Sequence, residues 1–491
     1  MVGSLSMSSY FFIKSLPTSN VNYGLDYKLN DSLSLSAYNL GGKEVGLQIN
    51  ISANPLKDYA GDHFEAAPQP FYSYPIIYKE ENQKYWENIK DDLEKEQIVL
   101  VSHHQEDKKA TVVIYNNHYS SHTQAIGRTF RILSRHIPFS IDEFSVILSE
   151  LGIPISEVTL DRHKVSEIVD APNAEIMTSK ITSISTAPRV VTGAKIVENL
   201  YPEFSFTVRP YYKLHLFDPT TPLYHDVGAK GTITFNPRPG ISLMATGLYS
   251  INTTFDKIWR GEKGTLPHVR TSIKHYENVI KPRIETLTAT SYSKISKDIY
   301  LRITGGYLEQ MYAGVSSEVL YAPIESNFAI GTEFNYLKPR EYRQLLGFRE
   351  IPRLKVDKEG FLNTAYVSGY WDTDYYDYLA QIDYGKFLAG DIGQSFKLTR
   401  NFPNGWKVGG FFTLTDVSFK DWGEGSFDKG IFFQIPFNPI IPFETRSFVQ
   451  DGFKPLMGDG GQRIDLKGRL YQLTSDKSKS QLLKTWPKIW R

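Results

Sequence analysis

The clearest signal along the chain is an alternation of apolar and polar positions with a period of two, which predicts β-strands. Between residues 19 and 52 the alternation is interrupted by turn residues at Asn30-Asp31 and Gly41-Gly42. This spacing predicts a three-stranded meander. A sheet of that size leaves two open edges, so we expect it to pair with another element.

A segment of different character separates this meander from the rest of the chain. Residues 53–83 are rich in Pro, Tyr and Ala and are predicted to be a linker. In residues 84–195, helices are predicted at Lys84–Glu96 and Thr123–Arg135, and short strands at Gln97–Val101, Ala110–Tyr115 and Val158–Asp161. These elements predict a small, soluble α+β module without transmembrane character.

The period-two pattern returns in residues 196–476 and forms longer segments. Beyond the strand that ends at His215, strands are predicted near 223–236, 241–252, 281–295, 297–309, 311–323, 325–338, 361–372, 375–388, 390–402, 404–417, 427–437 and 463–473. Most exceed the five or six residues usual in soluble proteins and approach the roughly ten that cross a bilayer. Tight turns such as Ile295–Asp298 and Pro403–Gly405 alternate with the long polar stretches 253–280 and 339–359. We therefore predict a C-terminal transmembrane antiparallel β-barrel of about 12–14 strands, followed by a tail at 477–491.

One face of these strands carries charged side chains that would line the interior of such a barrel. The candidates are Arg209, Lys213, Lys230, Arg302, Glu318, Glu333, Asp383, Lys397 and Lys407. With neighbouring Tyr, Asn and Thr they would suit a hydrated, hydroxyl-rich polymer. The alternative is that opposite charges simply pair across a filled interior.

Tyrosines at the ends of the apolar faces suggest an aromatic girdle at the membrane interface. They are Tyr249, Tyr307, Tyr321, Tyr336, Tyr366 and Tyr370. Ordinary strand propensity also accounts for tyrosine in such positions.

The composition and the motifs of the chain exclude several kinds of partner and site. The net charge of +1 argues against a nucleic-acid partner, and the absence of cysteine removes disulfides and thiolate sites. The pair His103-His104 is interpreted as a solvated turn rather than a metal site, and the GDGG run at 458–461 lacks the residues of a phosphate loop. No carboxylate spacing indicates glycoside chemistry. We expect no enzyme activity and no cofactor.

The chain shows neither an apolar run long enough for a transmembrane helix nor a secretory signal at its N-terminus. The most apolar stretch, Gly430–Phe443, is interrupted by three prolines.

Several long segments resemble the YjbH family, also described as GfcD-like. They include Leu266–Tyr276, Gly305–Pro323, Glu325–Arg340, Phe387–Ser418, Gly423–Phe437 and Gly458–Asp476. The resemblance implies a bacterial outer-membrane protein with two barrels around a periplasmic α/β module and a role in exopolysaccharide or capsule secretion. Implied partners are outer-membrane lipid, the exopolysaccharide, and other export proteins that dock on the module. The resemblance implies a signal peptide and a complete first barrel, so we expect residues 1–52 to be the remnant of a truncated barrel. The alternative is that the first barrel lies in a separate chain.

Two other functions share parts of this pattern. A general outer-membrane porin would have the barrel but would not need the module at 84–195. A soluble carbohydrate-binding β protein would be extracted without detergent, and the long strands argue against it.

Overall fold

Three separate sheets contain the strands of this protein. The computed structural model describes residues 5–14, 23–28, 33–40, 44–53, 67–73, 85–216, 223–255, 265–277, 282–422, 427–438, 444–454 and 458–491. Among these residues, no helix is both long enough and apolar enough to cross a membrane.

The first sheet contains β1 (Leu5–Lys14), β2 (Tyr23–Lys28), β3 (Leu33–Leu40) and β4 (Glu44–Ala53). All its pairings are antiparallel, and the order is β1-β4-β3-β2. The predicted three-stranded meander is confirmed as β2–β4, while β1 was missed. The turns at Asn30-Asp31 and Gly41-Gly42 lie outside the described residues, as does most of the predicted linker.

The second sheet belongs to an α+β module. Its elements are α1 (Tyr85–Lys95), β5 (Ile98–Glu106), β6 (Lys109–Asn116), α2 (His122–His136), β7 (Glu143–Glu150), β8 (Ile153–Asp161), α3 (Arg162–Ile168), α4 (Ala174–Ile181), β9 (Ser183–Thr186) and β10 (Lys195–Ile196). The strand order is β10-β5-β6-β7-β8-β9. Only the β6–β7 pair is parallel, because helix α2 carries the chain back across the sheet. The predicted helices and strands of this region are confirmed, and β7, α3, α4, β9 and β10 were missed.

The third and largest sheet is an antiparallel meander of thirteen strands in chain order. They are β11 (Glu203–Leu216), β12 (Leu223–Arg238), β13 (Ile241–Thr253), β14 (Arg283–Ser296), β15 (Ile299–Tyr307), β16 (Tyr312–Tyr321), β17 (Phe328–Pro339), β18 (Leu362–Asp372), β19 (Tyr378–Lys386), β20 (Ile392–Asn401), β21 (Lys407–Thr415), β22 (Asp428–Pro436) and β23 (Phe448–Phe453). Two short helices, α5 (Ile273–Glu277) and α6 (Phe419–Trp422), lie in the connections.

The strand predicted at 463–473 is wrong. Residues 462–469 are extended but belong to no sheet, and α7 (Leu470–Thr474) begins directly after them. The segment alternates because Arg463 and Arg469 reach carboxylates while Ile464 and Leu466 pack in an apolar cluster. The strand missed in its place is β23, which is only six residues long and interrupted by Asp451-Gly452.

The predicted tail at 477–491 is folded against the module. After α7 come a 3-10 turn at Ser475–Lys477, helix α8 (Lys479–Lys484) and a second turn at Trp486–Lys488. Leu482, Trp486 and Ile489 are buried in the same apolar core as Phe130 and Leu133 of α2. Residues near position 480 therefore supply part of the core of a module whose helix α2 lies more than 340 residues earlier in the sequence.

The large sheet has two contrasting faces. The face we call polar carries buried Thr, Ser, Asn and charged side chains, among them Thr246, Thr288, Arg302, Ser316, Glu333, Thr364, Ser368, Asp383 and Thr413. The opposite, apolar face carries exposed aliphatic and aromatic side chains from successive strands, among them Phe206, Leu243, Ile303, Val319, Phe334, Val367, Ile382, Leu398, Phe412 and Ile431. This arrangement inverts that of a soluble protein, whose buried face is the apolar one.

Candidate functional site: the polar face of the large sheet

Three carboxylates from neighbouring strands form the centre of the polar face. Glu318, Glu333 and Asp383 lie on β16, β17 and β19 and are almost completely buried. Arg302 on β15 donates from Nε to Glu318 at 2.8 Å, and its guanidinium is 3.8 Å from Glu333. Because β15, β16 and β17 are adjacent, the register that sets Arg302 beside Glu318 also sets Glu318 beside Glu333.

The extended residues 462–469, which we call the inner segment, supply the other two cations. Arg469 Nε donates to Glu333 at 2.7 Å, and Arg463 is 2.8 Å from Asp383. The backbone N–H of Leu470 donates to both oxygens of Glu318 at 3.1 Å. Three arginines therefore face three carboxylates, which offsets the large cost of burying unpaired charge.

The glycine-rich run at the start of this region is explained by packing. A Cβ at Gly460 would lie 2.7 Å from the Trp422 ring, and one at Gly458 would lie 2.5 Å from it. Between these glycines, Asp459 accepts from the backbone N–H groups of Arg270 and Thr271 at 2.7 and 2.9 Å. The GDGG run thus anchors the inner segment to the β13–β14 connection.

The long connections pack over the end of the sheet from which the inner segment enters. Val269 and Tyr276 of the β13–β14 connection and Ile351 of the β17–β18 connection share an apolar cluster with Ile464 and Leu466. Arg340 is fully buried and donates to several backbone carbonyls, including that of Glu309 at 2.6 Å. This end of the sheet is consequently covered by side chains from its own connections.

Further ion pairs lie toward the first strands of the sheet. Arg283 on β14 is 2.6 Å from Asp226 on β12, and both are buried. Lys230 on β12 contacts Glu285, and Lys213 on β11 contacts Glu277 of α5.

The nine predicted interior residues fall into three groups according to their ion-pair partners in the structure. Arg302, Glu318, Glu333 and Asp383 meet in the central network, whereas Lys213 and Lys230 pair with acids elsewhere. For Arg209, Lys397 and Lys407, no carboxylate lies within ion-pair distance among the described residues. Lys397 Nζ instead lies 4.4 Å from the centre of the Phe432 ring. Whether all nine line a passage stays a prediction.

The predicted tyrosine girdle is wrong at two of its members. Tyr366 and Tyr370 are buried on the polar face. The Arg463 guanidinium lies over the ring of Tyr366, and the ring of Tyr370 stacks on that of Tyr471 with centres 3.8 Å apart. In β18 the side chains at even-numbered positions lie on the polar face. The sequence pattern placed these tyrosines on the other face because tyrosine was counted as an apolar residue. Tyr249 and Tyr321 are exposed on the apolar face.

The C-terminal residues connect the polar face to the module through a second charged cluster. Lys477 is buried and lies 2.9 Å from Glu150 of β7, and His122 of α2 is 3.0 Å from Asp476. Burial, reinforced by Lys477, lowers the pKa of His122. Burial acts to raise the pKa of Asp476, but the charges of Lys477 and His122 outweigh it and hold that pKa well below its usual range.

The histidine pair at 103–104 lies within strand β5, so its interpretation as a turn is wrong. His103 stacks on Trp86 with ring centres 4.1 Å apart, and burial lowers its pKa. His104 faces Glu106 at 3.4 Å. The described part of the chain contains no group of three or more ligands that could hold a metal ion.

Comparison with known proteins assigns the family. A family model for YjbH, described as exopolysaccharide biosynthesis protein YbjH, matches residues 12–476, which is most of the chain. The chain belongs to the YjbH family. It is 27% identical over 352 residues to the protein named uncharacterized lipoprotein YjbH of Escherichia coli (strain K12), covering 68% of this chain and 49% of that protein. The chain therefore spans about half the length of this YjbH relative.

The residues that sequence reasoning missed are Arg463 and Arg469. Both were assigned to a strand of the sheet, whereas they bind the sheet from outside it. The sequence did contain a signal, because the glycine-rich run 458–461 and Gly468 favour turns on either side of a segment only six residues long. That is shorter than a bilayer-crossing strand requires.

Proposed function

We propose that this protein is a non-enzymatic outer-membrane protein whose large sheet closes into a β-barrel and assists the secretion of exopolysaccharide. The observation that carries the proposal is the apolar face of the large sheet. Exposed aliphatic and aromatic side chains recur on it from β11 to β23. Water-soluble proteins rarely expose a continuous apolar surface of that extent, whereas lipid would cover it favourably.

An electrostatic interaction between the first and last strands supports closure of the sheet. The Asp451 carboxylate on β23 acts electrostatically on the Tyr212 phenol on β11, although eleven strands lie between β11 and β23 in the order of the sheet. A flat sheet of thirteen strands would hold its edges about 55–60 Å apart, given a spacing of about 4.8 Å. The proximity of these two side chains therefore favours a curved, closing sheet.

The connections also follow the asymmetry of outer-membrane barrels. The β12–β13 and β14–β15 turns contain two residues each and contact the module through Gly240–Leu151 and Asp298–Thr186. The two longest connections, 254–282 and 340–361, lie at the opposite end. The module would thus be periplasmic and available to other export proteins.

The link to exopolysaccharide comes from the family, whose description names exopolysaccharide biosynthesis. A polar face rich in Thr, Ser, Asn and Tyr has the hydrogen-bonding groups that a hydrated, hydroxyl-rich polymer requires. No catalytic arrangement contributes to the proposal, and we assign the protein a conduit or accessory role.

The test is insertion of the whole chain into lipid. We expect the protein, refolded in detergent and added to phospholipid vesicles, to float with the vesicles in a density gradient. We also expect it to migrate differently on a gel before and after boiling. Protein that stays in the aqueous fraction and shows no shift on boiling would exclude a membrane barrel.

A further inference from the structure

The charged side chains of the polar face are unevenly balanced along the sheet. Each carboxylate of the central network binds an arginine, Asp226 binds Arg283, Glu285 binds Lys230, and Asp428 binds Lys454 at 3.1 Å. On β11 and on β19 to β23, the described polar-face cations that form no ion pair with a described carboxylate are Arg209, Lys397 and Lys407.

Two of these cations lie on adjacent strands, and the third lies on the first strand of the sheet. Lys397 is on β20 and Lys407 on the adjacent β21, while Arg209 is on β11. Each alternates with exposed apolar neighbours such as Leu398 and Val408, so each belongs to the polar face. If the sheet closes as proposed above, β11 follows β23 and the three side chains share one wall of the interior.

The three side chains also lie at increasing distances from the end of the sheet that contacts the module. Lys407 begins β21 opposite Asn401, and Lys397 is four residues further from that end, or about 13 Å at about 3.3 Å per residue. Arg209 is six residues from the start of β11, or about 20 Å. Arg209 also pairs in register with Lys230, so two cationic side chains lie side by side, and of these two only Lys230 has a carboxylate partner, Glu285.

The inner segment binds other strands of the sheet. Among the described residues, the hydrogen bonds and ion pairs that Arg463–Arg469 make with the strands go to β14, β17 and β19, and none goes to β11, β20 or β21. Others go to Arg270 and Glu309 in the connections. Asp383 and Asp476 act electrostatically on Lys397 and Lys407, but these acids bind Arg463 and Lys477. In addition, the Phe432 ring next to Lys397 offers an apolar surface on which a sugar ring can pack.

We propose that Lys407, Lys397 and Arg209 form a cationic track that binds an anionic, carboxylate-bearing polysaccharide. This inference rests on the proposed function, because only a closed sheet brings β11 to the same side of the interior as β20 and β21. The three cations bind successive carboxylates of the polymer, and Phe432 packs against a sugar ring near Lys397. A neutral polysaccharide lacks the groups that would offset these charges.

The test compares an acidic and a neutral oligosaccharide of equal length. The whole chain, refolded in detergent, is titrated calorimetrically with a galacturonic acid octamer and with a maltose-type glucose octamer. The variant Lys397→Gln/Lys407→Gln removes two charges of the track, and Lys397→Arg/Lys407→Arg retains them. The matched control is Lys386→Gln/Lys429→Gln, which removes two charges from the apolar face of β19 and β22.

We expect the acidic octamer to bind and the neutral one not to bind. The Gln variant should bind at least about tenfold more weakly, since even one charge-assisted hydrogen bond contributes about that much. The Arg variant and the control should stay within about twofold of the original protein. Retention of the gel shift on boiling reports that each variant is folded.

Two results would overturn the cationic track. One is equal binding of the acidic and neutral octamers, and the other is undiminished binding of the acidic octamer by the folded Gln variant. The proposed membrane location is judged separately by flotation with vesicles. A protein that inserts but shows no preference for the acidic octamer refutes the track alone.

Discussion

Glu333 is the residue on which the packing of the inner segment depends most. Its carboxylate accepts from Arg469 Nε at 2.7 Å and from Asn335 Nδ2 at 3.0 Å, and it lies 3.6 Å from Arg463 and 3.8 Å from Arg302. Glu333→Gln keeps the volume of the side chain and removes the charge. We expect the variant to lose stability because Arg469 keeps its positive charge in a buried site without the carboxylate that offsets it.

The size of the expected stability loss depends on which ion pairs remain in the Glu333→Gln variant. Removing one partner of a buried ion pair costs about 3–5 kcal/mol. Arg463 keeps Asp383 and Arg302 keeps Glu318, so only Arg469 loses its ion-pair partner. We therefore expect a decrease of about 3 kcal/mol in the free energy of unfolding, measured by urea titration of the refolded protein in detergent.

The exposed residue Glu359 provides the control, since Glu359→Gln should change stability by less than about 0.5 kcal/mol. A double-mutant cycle with Arg469→Gln should give a coupling of at least about 1 kcal/mol with Glu333→Gln. Additive effects of the two substitutions, or a Glu333→Gln variant as stable as the original protein, would refute the proposed role of this carboxylate.

Three further predictions follow from the same structure. Gly460→Ala should lose about 1–3 kcal/mol of stability because its Cβ would meet Trp422 at 2.7 Å, whereas Gly369→Ala, with no atom within 4 Å, should be nearly neutral; urea titration of both separates the two cases. Trp486→Ala should lose about 3–5 kcal/mol and expose the C-terminal helices to protease, and unchanged proteolysis would show that they do not dock on the module. Stability should fall as the pH drops below about 6.5, because the lowered pKa of folded His122 lets the unfolded chain bind the proton first; His122→Gln should flatten this slope, and a slope identical in both proteins would contradict it.

Periodicity predicted most of the strands because the alternation of side chains is a local property of the backbone. Glu333 and Asn335 share a face whatever the strand contacts, and the neighbours of that face follow from the order of the meander. Strand β23 escaped detection because six residues with an Asp-Gly interruption give too short a pattern. The alternation at 463–469 was misleading because an extended segment between a polar and an apolar surface has the same period as a strand.

The pairing within the site could not be predicted in this way. Nothing in the local sequence says that Arg469 reaches Glu333, 136 residues earlier, or that Trp486 enters the core formed around α2. Such contacts depend on the path of the whole chain. Tyr366 lies on the polar face and Val367 on the apolar face, the reverse of the prediction for Tyr366. The facing of a tyrosine could not be predicted because its side chain is compatible with either surface.

The most direct test of the central claim is a comparison of the two faces of one strand in lipid. The chain contains no cysteine, so single cysteines at Ile392, Leu398, Ser395 and Thr399 of β20 can each carry a fluorophore without a competing thiol. After insertion into vesicles, we expect a quencher confined to the acyl chains to act strongly at Ile392 and Leu398 and weakly at Ser395 and Thr399. Equal quenching at all four positions, or quenching by aqueous iodide alone, would contradict a large sheet whose apolar face meets lipid.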